Sequence, residues 1–123
     1  MSKILVADDE KEIVEILEMV LTSAGHKVFT ALNGETAVET AKKEKPDIIF
    51  LDLCFPKPGL DGVEILKAIR EFDKNVKIVL TSGLDSKDGK YKEAQDLGVS
   101  KCLSKPINVS NIKTIVSELV KSS

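Results

Sequence analysis

The hydrophobic positions of this chain alternate between two periodicities. Five short apolar runs, rich in β-branched residues, begin at positions 4, 28, 48, 78 and 102. They cover residues 4–7, 28–31, 48–53, 78–81 and 102–103. The 20 to 30 residues between successive run starts leave room for one helix each. Strands that alternate with helices are typical of a parallel sheet, so the pattern predicts an α/β fold of βα units.

The composition of the runs indicates where each strand lies in the sheet. The first, third and fourth runs are apolar throughout, as strands buried on both faces are. The second run contains Thr30, and the fifth is short and lies between Lys101 and Lys105. These features favour edge strands on opposite sides of the sheet.

Helical periodicity follows the first run. Six apolar residues recur there at the spacing of one helix face. They are Ile13, Ile16, Leu17, Val20, Leu21 and Ala24. Gly25 follows this stripe and predicts the end of the helix. A second helix is predicted from 34 to about 45, with Asn33 as its N-cap and Pro46 behind it.

Three further helices are predicted in the second half of the chain. The third contains Val63, Leu66 and Ile69. The fourth, from 85 to 97, has few apolar positions and ends at Gly98. The fifth has six apolar positions, which are Val109, Ile112, Ile115, Val116, Leu119 and Val120. A length of 123 residues predicts a single domain, 1–123, with no output domain.

Charged and hydroxyl side chains lie where four of the runs end. Asp8 and Asp9 follow the first run, Asp52 belongs to the third, Thr81 ends the fourth and Lys105 follows the fifth. Ligands of open α/β sheets bind beyond the carboxyl ends of the strands. The three carboxylates repel one another, and the single ammonium of Lys105 offsets only one of their charges. A divalent cation would neutralise the remainder, and Mg²⁺ or Mn²⁺ suits an all-oxygen shell.

Asp52 is the candidate nucleophile of this group. An acid on an interior apolar strand is costly without a role, and an aspartate can accept a phosphoryl group as an acyl phosphate. Mg²⁺, Lys105 and the Thr81 hydroxyl would neutralise the charge of the transferred group. A plainer alternative remains for the run Asp8-Asp9-Glu10, which could simply cap a helix. Glu10 is interpreted as a first-turn acid.

Composition excludes several classes of protein. A net charge of −2, a single Arg among 18 basic residues and five aromatic residues without Trp argue against a nucleic-acid-binding protein. The apolar runs are far too short to span a membrane, and the first residues do not form a secretory signal. Two cysteines make neither a disulfide scaffold nor a zinc site, so we expect reduced thiols and a cytoplasmic location.

Five pieces of the sequence, in order, resemble the receiver domains of bacterial two-component response regulators. They are KILVADDE at 3–10, DIIFLDL at 47–53, Pro56 with Asp61-Gly62, KIVLTSG at 77–83, and Ser104-Lys105-Pro106. The resemblance extends from Lys3 to about Val120. It implies a flavodoxin-like fold in which a five-stranded parallel sheet, in the order 2-1-3-4-5, is flanked by five helices.

The resemblance also implies roles for individual residues. Asp52 would be the phosphoacceptor, Thr81 the hydroxyl that bonds the phosphoryl group, and Lys105 the lysine that binds it. The Lys105–Pro106 bond would be cis, which only an X–Pro bond adopts at modest cost. The implied Mg²⁺ ligands are Asp9 and Asp52 directly, Asp8 through water, and Cys54 through its backbone carbonyl.

This sequence departs from the family pattern at its switch and in one loop. The implied switch positions are Thr81 and Cys102. In the family, a Tyr or Phe at the second position swings inward when the threonine moves, and Cys102 has no ring. The loop between Asp52 and Asp61 is two residues longer than usual, and we expect a reshaped loop with the metal site intact.

The implied function is that of a stand-alone phosphorylation switch. The chain would take a phosphoryl group from a histidine kinase or a histidine phosphotransfer protein and present a changed face to a downstream protein. It would catalyse only its own phosphorylation and dephosphorylation. One alternative is an adaptor that keeps the fold without the switch. Another is a small-molecule phosphatase with an aspartyl-phosphate intermediate, which Cys54 disfavours because such enzymes commonly have a second Asp there.

Overall fold

The predicted alternation of strands and helices is confirmed along the chain. A computed structural model describes residues 2–53, 55, 59–82, 89–104 and 108–121. The strands are β1 (Lys3–Ala7), β2 (Lys27–Ala31), β3 (Ile48–Asp52), β4 (Lys77–Ser82) and β5 (Lys101–Ser104). The helices are α1 (Lys11–Ser23), α2 (Gly34–Glu44), α3 (Gly62–Phe72), α4 (Gly89–Asp96) and α5 (Val109–Lys121). The part of the fourth predicted helix at 85–88 lies outside the described residues.

The strands form one parallel sheet in the order β2-β1-β3-β4-β5. Both predicted edge strands, β2 and β5, lie at the edges, and every residue of β3 at the centre is buried. This order puts β1 and β3 side by side, although a whole βα unit separates them in sequence. The carboxyl ends of β1, β3 and β4 therefore lie next to one another.

Two hydrophobic cores cover the faces of the sheet. On one face, Leu5, Ile49 and Leu80 of the strands pack with Leu66 and Ile69 of α3. On the other, Ile4, Phe50 and Val79 belong to a cluster shared with α1 and α5. Successive strand residues point to opposite faces, so the apolar runs supply both cores at once.

The predicted apolar face of α1 is wrong in part. Val14, Leu17 and Leu21 are its buried residues, whereas the side chain of Ile16 is 42% exposed. The buried face of α1 includes Val14 and is therefore rotated slightly from the predicted face. The helix has more apolar residues than one face can bury, so some of them remain exposed. The ends of the fifth predicted stripe, Val109 and Val120, are likewise exposed.

The predicted helix ends are largely confirmed. The Asn33 side chain accepts a hydrogen bond from the backbone N–H of Thr36 at 2.8 Å, as an N-cap does. Gly25 follows α1 with a φ of +93°, a left-handed conformation that favours glycine. Among the described residues, no helix is long and apolar enough to cross a membrane.

Candidate functional site

The candidate site lies at the carboxyl edge of the sheet, where three neighbouring strands end. Asp8 directly follows β1, and Asp52 is the last residue of β3. In the β3–β4 register, Thr81 lies opposite Asp52. All three residues are buried, with exposed fractions of 1% for Asp8, 2% for Asp52 and 1% for Thr81. Burial of two carboxylates at one edge is expensive unless charges and hydrogen bonds compensate for it.

Four carboxylates converge at this edge. One oxygen from each of Asp8, Asp9, Glu10 and Asp52 lies within 4.8 Å of one oxygen from every other member. We call these four residues the acidic cluster. Asp8 and Asp52 are buried in it, whereas Asp9 and Glu10 are exposed. The cluster thus has a buried floor and an open side, and its donors are oxygens only, which is the donor set that Mg²⁺ prefers.

A local turn after β1 orients two of the four acids. The Asp8 carboxylate accepts a hydrogen bond from the backbone N–H of Glu10 at 2.8 Å. This bond from an Asp side chain to the backbone two residues later turns the chain sharply before α1. Because of that turn, consecutive acids face the same space instead of alternating as they would on a strand.

Glu10 corrects the sequence interpretation. The first turn of α1 begins at Lys11, so Glu10 is the N-cap residue and not a first-turn acid. Its side chain makes no capping hydrogen bond, and its carboxylate belongs to the acidic cluster. The sequence signal that could have revealed this is the uninterrupted run of three acids after a buried strand.

The start of α3 holds the end of β3 in place. Asp61 and Glu64 form a capping box, with backbone-to-carboxylate bonds of 2.9 and 3.1 Å. The backbone N–H of Gly62 donates to the carbonyl of Leu53 at 3.0 Å. A Cβ on Gly62 would lie 2.4 Å from the carbonyl oxygen of Asp52 and 2.4 Å from the Cα of Leu53. Sequence reasoning quoted the Asp61-Gly62 pair but missed that only glycine lets α3 approach this closely.

The described end of the longer loop after β3, at residues 59 and 60, contacts the start of α2. The backbone N–H of Leu60 donates to the Glu35 carboxylate at 3.3 Å. A Cβ on Gly34 would lie 2.8 Å from the Leu60 Cβ, so the two segments are in close contact. Phe55, the described residue earlier in this loop, is buried in the core. The described end of the loop therefore contacts the start of α2, whereas the predicted reshaping falls largely on residues 54 and 56–58, which lie outside the described residues.

The structure brings some of the predicted site residues together, and others lie outside its description. Asp8, Asp9, Asp52 and Thr81 converge as described above. The predicted roles of Cys54, Lys105 and Pro106 fall on residues outside the described ranges. Cys102, the predicted switch position, is half-buried on β5 opposite Leu80.

The family of the chain follows from comparison with known proteins. The family model of the response regulator receiver domain matches residues 4–117. The chain belongs to this family. The receiver fold explains why the acids of β1 and β3 meet, since the order 2-1-3-4-5 places these two strands together.

Curated receiver proteins of similar length cover nearly the whole chain. Sporulation initiation phosphotransferase F of Bacillus subtilis is 33% identical over 94% of this chain and 91% of its own length. Chemotaxis protein CheY of Treponema pallidum is 34% identical over 97% of this chain and 83% of its own length.

Solved receiver structures share the fold. Chemotaxis protein CheY4 of Vibrio cholerae superposes with a TM-score of 0.87 and is 29% identical, covering 97% of this chain and 98% of its own. Some of the matching structures are longer chains. The chain covers 27% of the full NtrX chain of Brucella abortus, which superposes with a TM-score of 0.88 at 24% identity and so shows the fold alone.

Proposed function

We propose that this receiver domain accepts a phosphoryl group on Asp52 in a reaction that depends on Mg²⁺. The observation that carries the proposal is the position of Asp52, which is buried at the end of the central strand within 4.8 Å of three other carboxylates. A buried aspartate close to other carboxylates lowers the free energy of unfolding, because its charge is desolvated and repelled. Its retention at the open edge of the sheet is understandable if a cation and a phosphoryl group use it.

The proposed donor is a phosphohistidine of a histidine kinase or of a phosphotransfer protein. A carboxylate oxygen of Asp52 forms a bond to phosphorus while the bond from phosphorus to the donor's imidazole nitrogen breaks. The electron pair of the broken bond stays on the imidazole. Such a transfer requires positioning and charge neutralisation more than side-chain acid–base chemistry. The glycine contact and capping box at the start of α3 supply the positioning, because they fix the backbone of Asp52.

The acidic cluster has the donor chemistry of a magnesium site. Asp9 and Asp52 would hold the ion directly, and Asp8 would hold it through water, as the family resemblance implies. Glu10 adds a fourth carboxylate within the same space. When bound, Mg²⁺ offsets the negative charge of the carboxylates and of the transferred phosphoryl oxygens. The remaining positive charge in the proposal comes from Lys105.

Thr81 connects phosphorylation to the rest of the molecule in this proposal. The β3–β4 register sets it opposite Asp52, and it is 1% exposed. Phosphorylation adds nearly two negative charges at Asp52. The Thr81 hydroxyl would donate to a phosphoryl oxygen, and the end of β4 would move with it. The face built from α4, β5 and α5 would then shift between two populations, and a downstream protein would bind one of them.

Intact-mass spectrometry after incubation with acetyl phosphate and Mg²⁺ tests the proposal. We expect a single phosphoryl adduct that disappears with EDTA and in Asp52→Asn. The matched control is Asp47→Asn, which changes the exposed aspartate that precedes the same strand and leaves the acidic cluster intact. This control should form the adduct like the unmodified protein.

A folded protein that forms no adduct and does not bind beryllofluoride, a stable phosphoryl mimic, would contradict the proposal. The adaptor without a switch would then be the better interpretation. An adduct that persists in Asp52→Asn would move the acceptor to another carboxylate of the acidic cluster. Adduct formation in the presence of EDTA would show that the phosphoryl transfer does not require Mg²⁺.

A further inference from the structure

A cavity lies between the carboxyl end of α1 and the side of α5 that packs against it. Its volume is about 350 Å³, which is within the range of small-molecule sites. The lining residues include Leu21, Ala24 and His26 on one side and Lys113, Val116 and Ser117 on the other. The acidic cluster precedes the opposite end of α1, and a helix of 13 residues is about 20 Å long, so the two sites are separate.

The floor of this cavity is apolar and continuous with the core. Leu21 and Val116 are buried members of the hydrophobic cluster that α1 and α5 share with the sheet. Val120 also lines the cavity and is exposed, although it is apolar. An apolar body placed here would therefore remove exposed apolar surface from water, which is favourable.

The turn after α1 fixes the position of His26. The backbone N–H of Gly25 donates to the carbonyl of Thr22 at 3.0 Å, and that of His26 donates to the carbonyl of Leu21 at 3.2 Å. With Gly25 in the left-handed conformation, these two bonds form a Schellman motif. The motif occupies carbonyls of the helix end whose partial negative charge would otherwise repel an anion.

A second contact fixes the imidazole and its tautomer. The backbone N–H of Ser2 donates to Nδ1 of His26 at 3.2 Å, and the Ser2 carbonyl accepts from the backbone N–H of Lys27 at 2.9 Å. A neutral imidazole whose Nδ1 accepts a hydrogen bond carries its proton on Nε2. His26 therefore offers one N–H donor that Ser2 does not use, on a ring that lines the cavity.

The polar groups around the cavity are donors. Lys113 supplies an ammonium, and Ser117 supplies a hydroxyl one helical turn later on α5. No acid is among the described residues that line the cavity, and Lys113 is the one charged residue among them. A set of donors with one cation above an apolar floor is complementary to an anion with an apolar body.

The charge of the site at neutral pH comes from Lys113. Desolvation, and then the positive charge of the chain's amino terminus, lower the pKa of His26 below its ordinary value. The imidazole is therefore largely uncharged at neutral pH, and it acts as a neutral donor through Nε2.

We propose that this cavity binds a small monocarboxylic acid with an apolar body, of the kind that a short fatty acid represents. The carboxylate would accept hydrogen bonds from the Lys113 ammonium and from Nε2 of His26, and the apolar body would lie on Leu21 and Val116. One ammonium matches one negative charge, so a carboxylate fits better than a phosphate, which carries nearly two. The proposal is independent of the proposed phosphorylation.

The composition of the chain makes binding at this cavity directly observable. His26 is the single histidine, so the imidazole signals of a proton NMR spectrum report on this one side chain. We expect hexanoate at neutral pH to shift these signals saturably. 1-Hexanol, which has the same apolar body without the charge, should bind more weakly, and acetate should leave the signals in place. Saturation with hexanoate should raise the pKa of His26, because a neighbouring carboxylate favours the imidazolium.

The role of the ammonium is tested with Lys113→Met, which keeps an apolar stem of similar length. We expect its affinity for hexanoate to be about two- to fivefold lower, which is the range of an exposed ion pair. Its affinity for 1-hexanol should be no lower than that of the unmodified protein. The matched control is Lys92→Met, which removes an exposed lysine from α4 and should bind hexanoate normally.

The outcomes separate this site from the proposed function. Equal affinities for hexanoate and 1-hexanol, or equal affinities of Lys113→Met and Lys92→Met for hexanoate, would overturn the proposal, because the cavity would then not recognise the carboxylate. Shifts that grow without saturation would overturn it as well. A saturable shift, a raised pKa of His26 and a loss confined to Lys113→Met would support it. None of these results depends on the adduct at Asp52, so either proposal can fail while the other stands.

Discussion

Helices α3 and α4 are neighbours in this structure, yet different kinds of contact hold them. Five of the eleven residues of α3 are buried, and its first turn packs against the backbone at the end of β3. In α4, Ala94 is the one fully buried residue among the described side chains. The described polar contacts of α4 and the turn after it are a salt bridge to Lys67, bonds from Arg70 to two backbone carbonyls, and a hydrogen bond from Gln95 to Cys102.

This difference matches the two tasks of the proposed switch. Close-packed contacts with backbone atoms have a single good arrangement, so α3 keeps Asp52 fixed while chemistry takes place. A helix that buries little of its own surface can change position at lower cost, because exposed polar contacts such as the Lys67–Glu93 salt bridge contribute little and water can replace them. In the proposed switch, the phosphoacceptor would therefore lie beside the tightly packed α3, and the surface that responds would include the loosely packed α4.

The largest expected effect comes from a methyl group at the first residue of α3. In Gly62→Ala, the new Cβ would lie 2.4 Å from backbone atoms of Asp52 and Leu53, and backbone at the end of a buried strand cannot move aside cheaply. We expect the free energy of unfolding in urea to fall by about 3 kcal/mol. We also expect slower adduct formation, because Asp52 would be displaced.

The same substitution at the first residue of α4 is the matched control. Gly89 has nothing within 4 Å of an added Cβ. Gly89→Ala should therefore leave stability unchanged or raise it by about 0.5–1 kcal/mol, as alanine does in helices. If both variants lose stability equally, the contrast between a tightly packed α3 and a loosely packed α4 is wrong.

Removal of the Arg70 guanidinium should have the next largest effect. Its donors bond the carbonyls of Leu97 and Gly98 and, at 2.9 Å, the carbonyl of Val76. Arg70→Met keeps the aliphatic stem and leaves these carbonyls without that partner. We expect a loss of about 2 kcal/mol, since hydrogen bonds from a charged donor are worth more than neutral ones.

Hydrogen exchange shows which helix loses stability in Arg70→Met. If Arg70 mainly holds the turn after α4, amides of α4 should exchange faster in Arg70→Met, while the buried amides of α3 keep their protection. Arg70→Lys should recover only part of the protection, because one ammonium cannot reproduce the fork of the guanidinium. Equal acceleration in both helices would show that Arg70 supports the whole domain and does not act on α4 in particular.

Much of the fold was predictable because its signals are local. The alternation of apolar runs with helical stripes predicted five strands and five helices, and Asn33 and Gly25 were recognised from their chemistry. The strand order came from the family resemblance and is confirmed. Asp52 was found because a carboxylate on a buried strand is costly and therefore conspicuous in a sequence.

Features that depend on tertiary approach were not predictable. A single arginine in the sequence argues only against nucleic acid, whereas its actual partners are backbone carbonyls from two separate segments. The closeness of Gly62 to β3 and the contact of Gln95 with Cys102 depend on how two elements lie against each other. The exposed Ile16 has the same explanation, since the rotation of α1 is decided by the core it meets.

Magnesium binding at the acidic cluster tests the site that lies beside the tightly packed α3. An ion that binds only the folded chain raises stability by about 1.4 kcal/mol at ten times its dissociation constant. We expect this increase in thermal or urea unfolding with MgCl₂, and its loss in Asp9→Asn, which removes an exposed member of the acidic cluster. Glu12→Gln, an exposed acid in the first turn of α1, is the control. An equal response of both variants would indicate general screening of charge.

The smallest expected effect concerns the salt bridge between the two helices. Lys67 and Glu93 are 3.0 Å apart, but their side chains are 54% and 49% exposed. A double-mutant cycle with Lys67→Met and Glu93→Gln should give a coupling energy of about 0.2–1 kcal/mol that shrinks in high salt. A small value is what a loosely held α4 requires, because a strong link at mid-helix would oppose movement of α4 relative to α3. A coupling energy of several kcal/mol would mean that α3 and α4 move as one unit, and the contrast between them would fail.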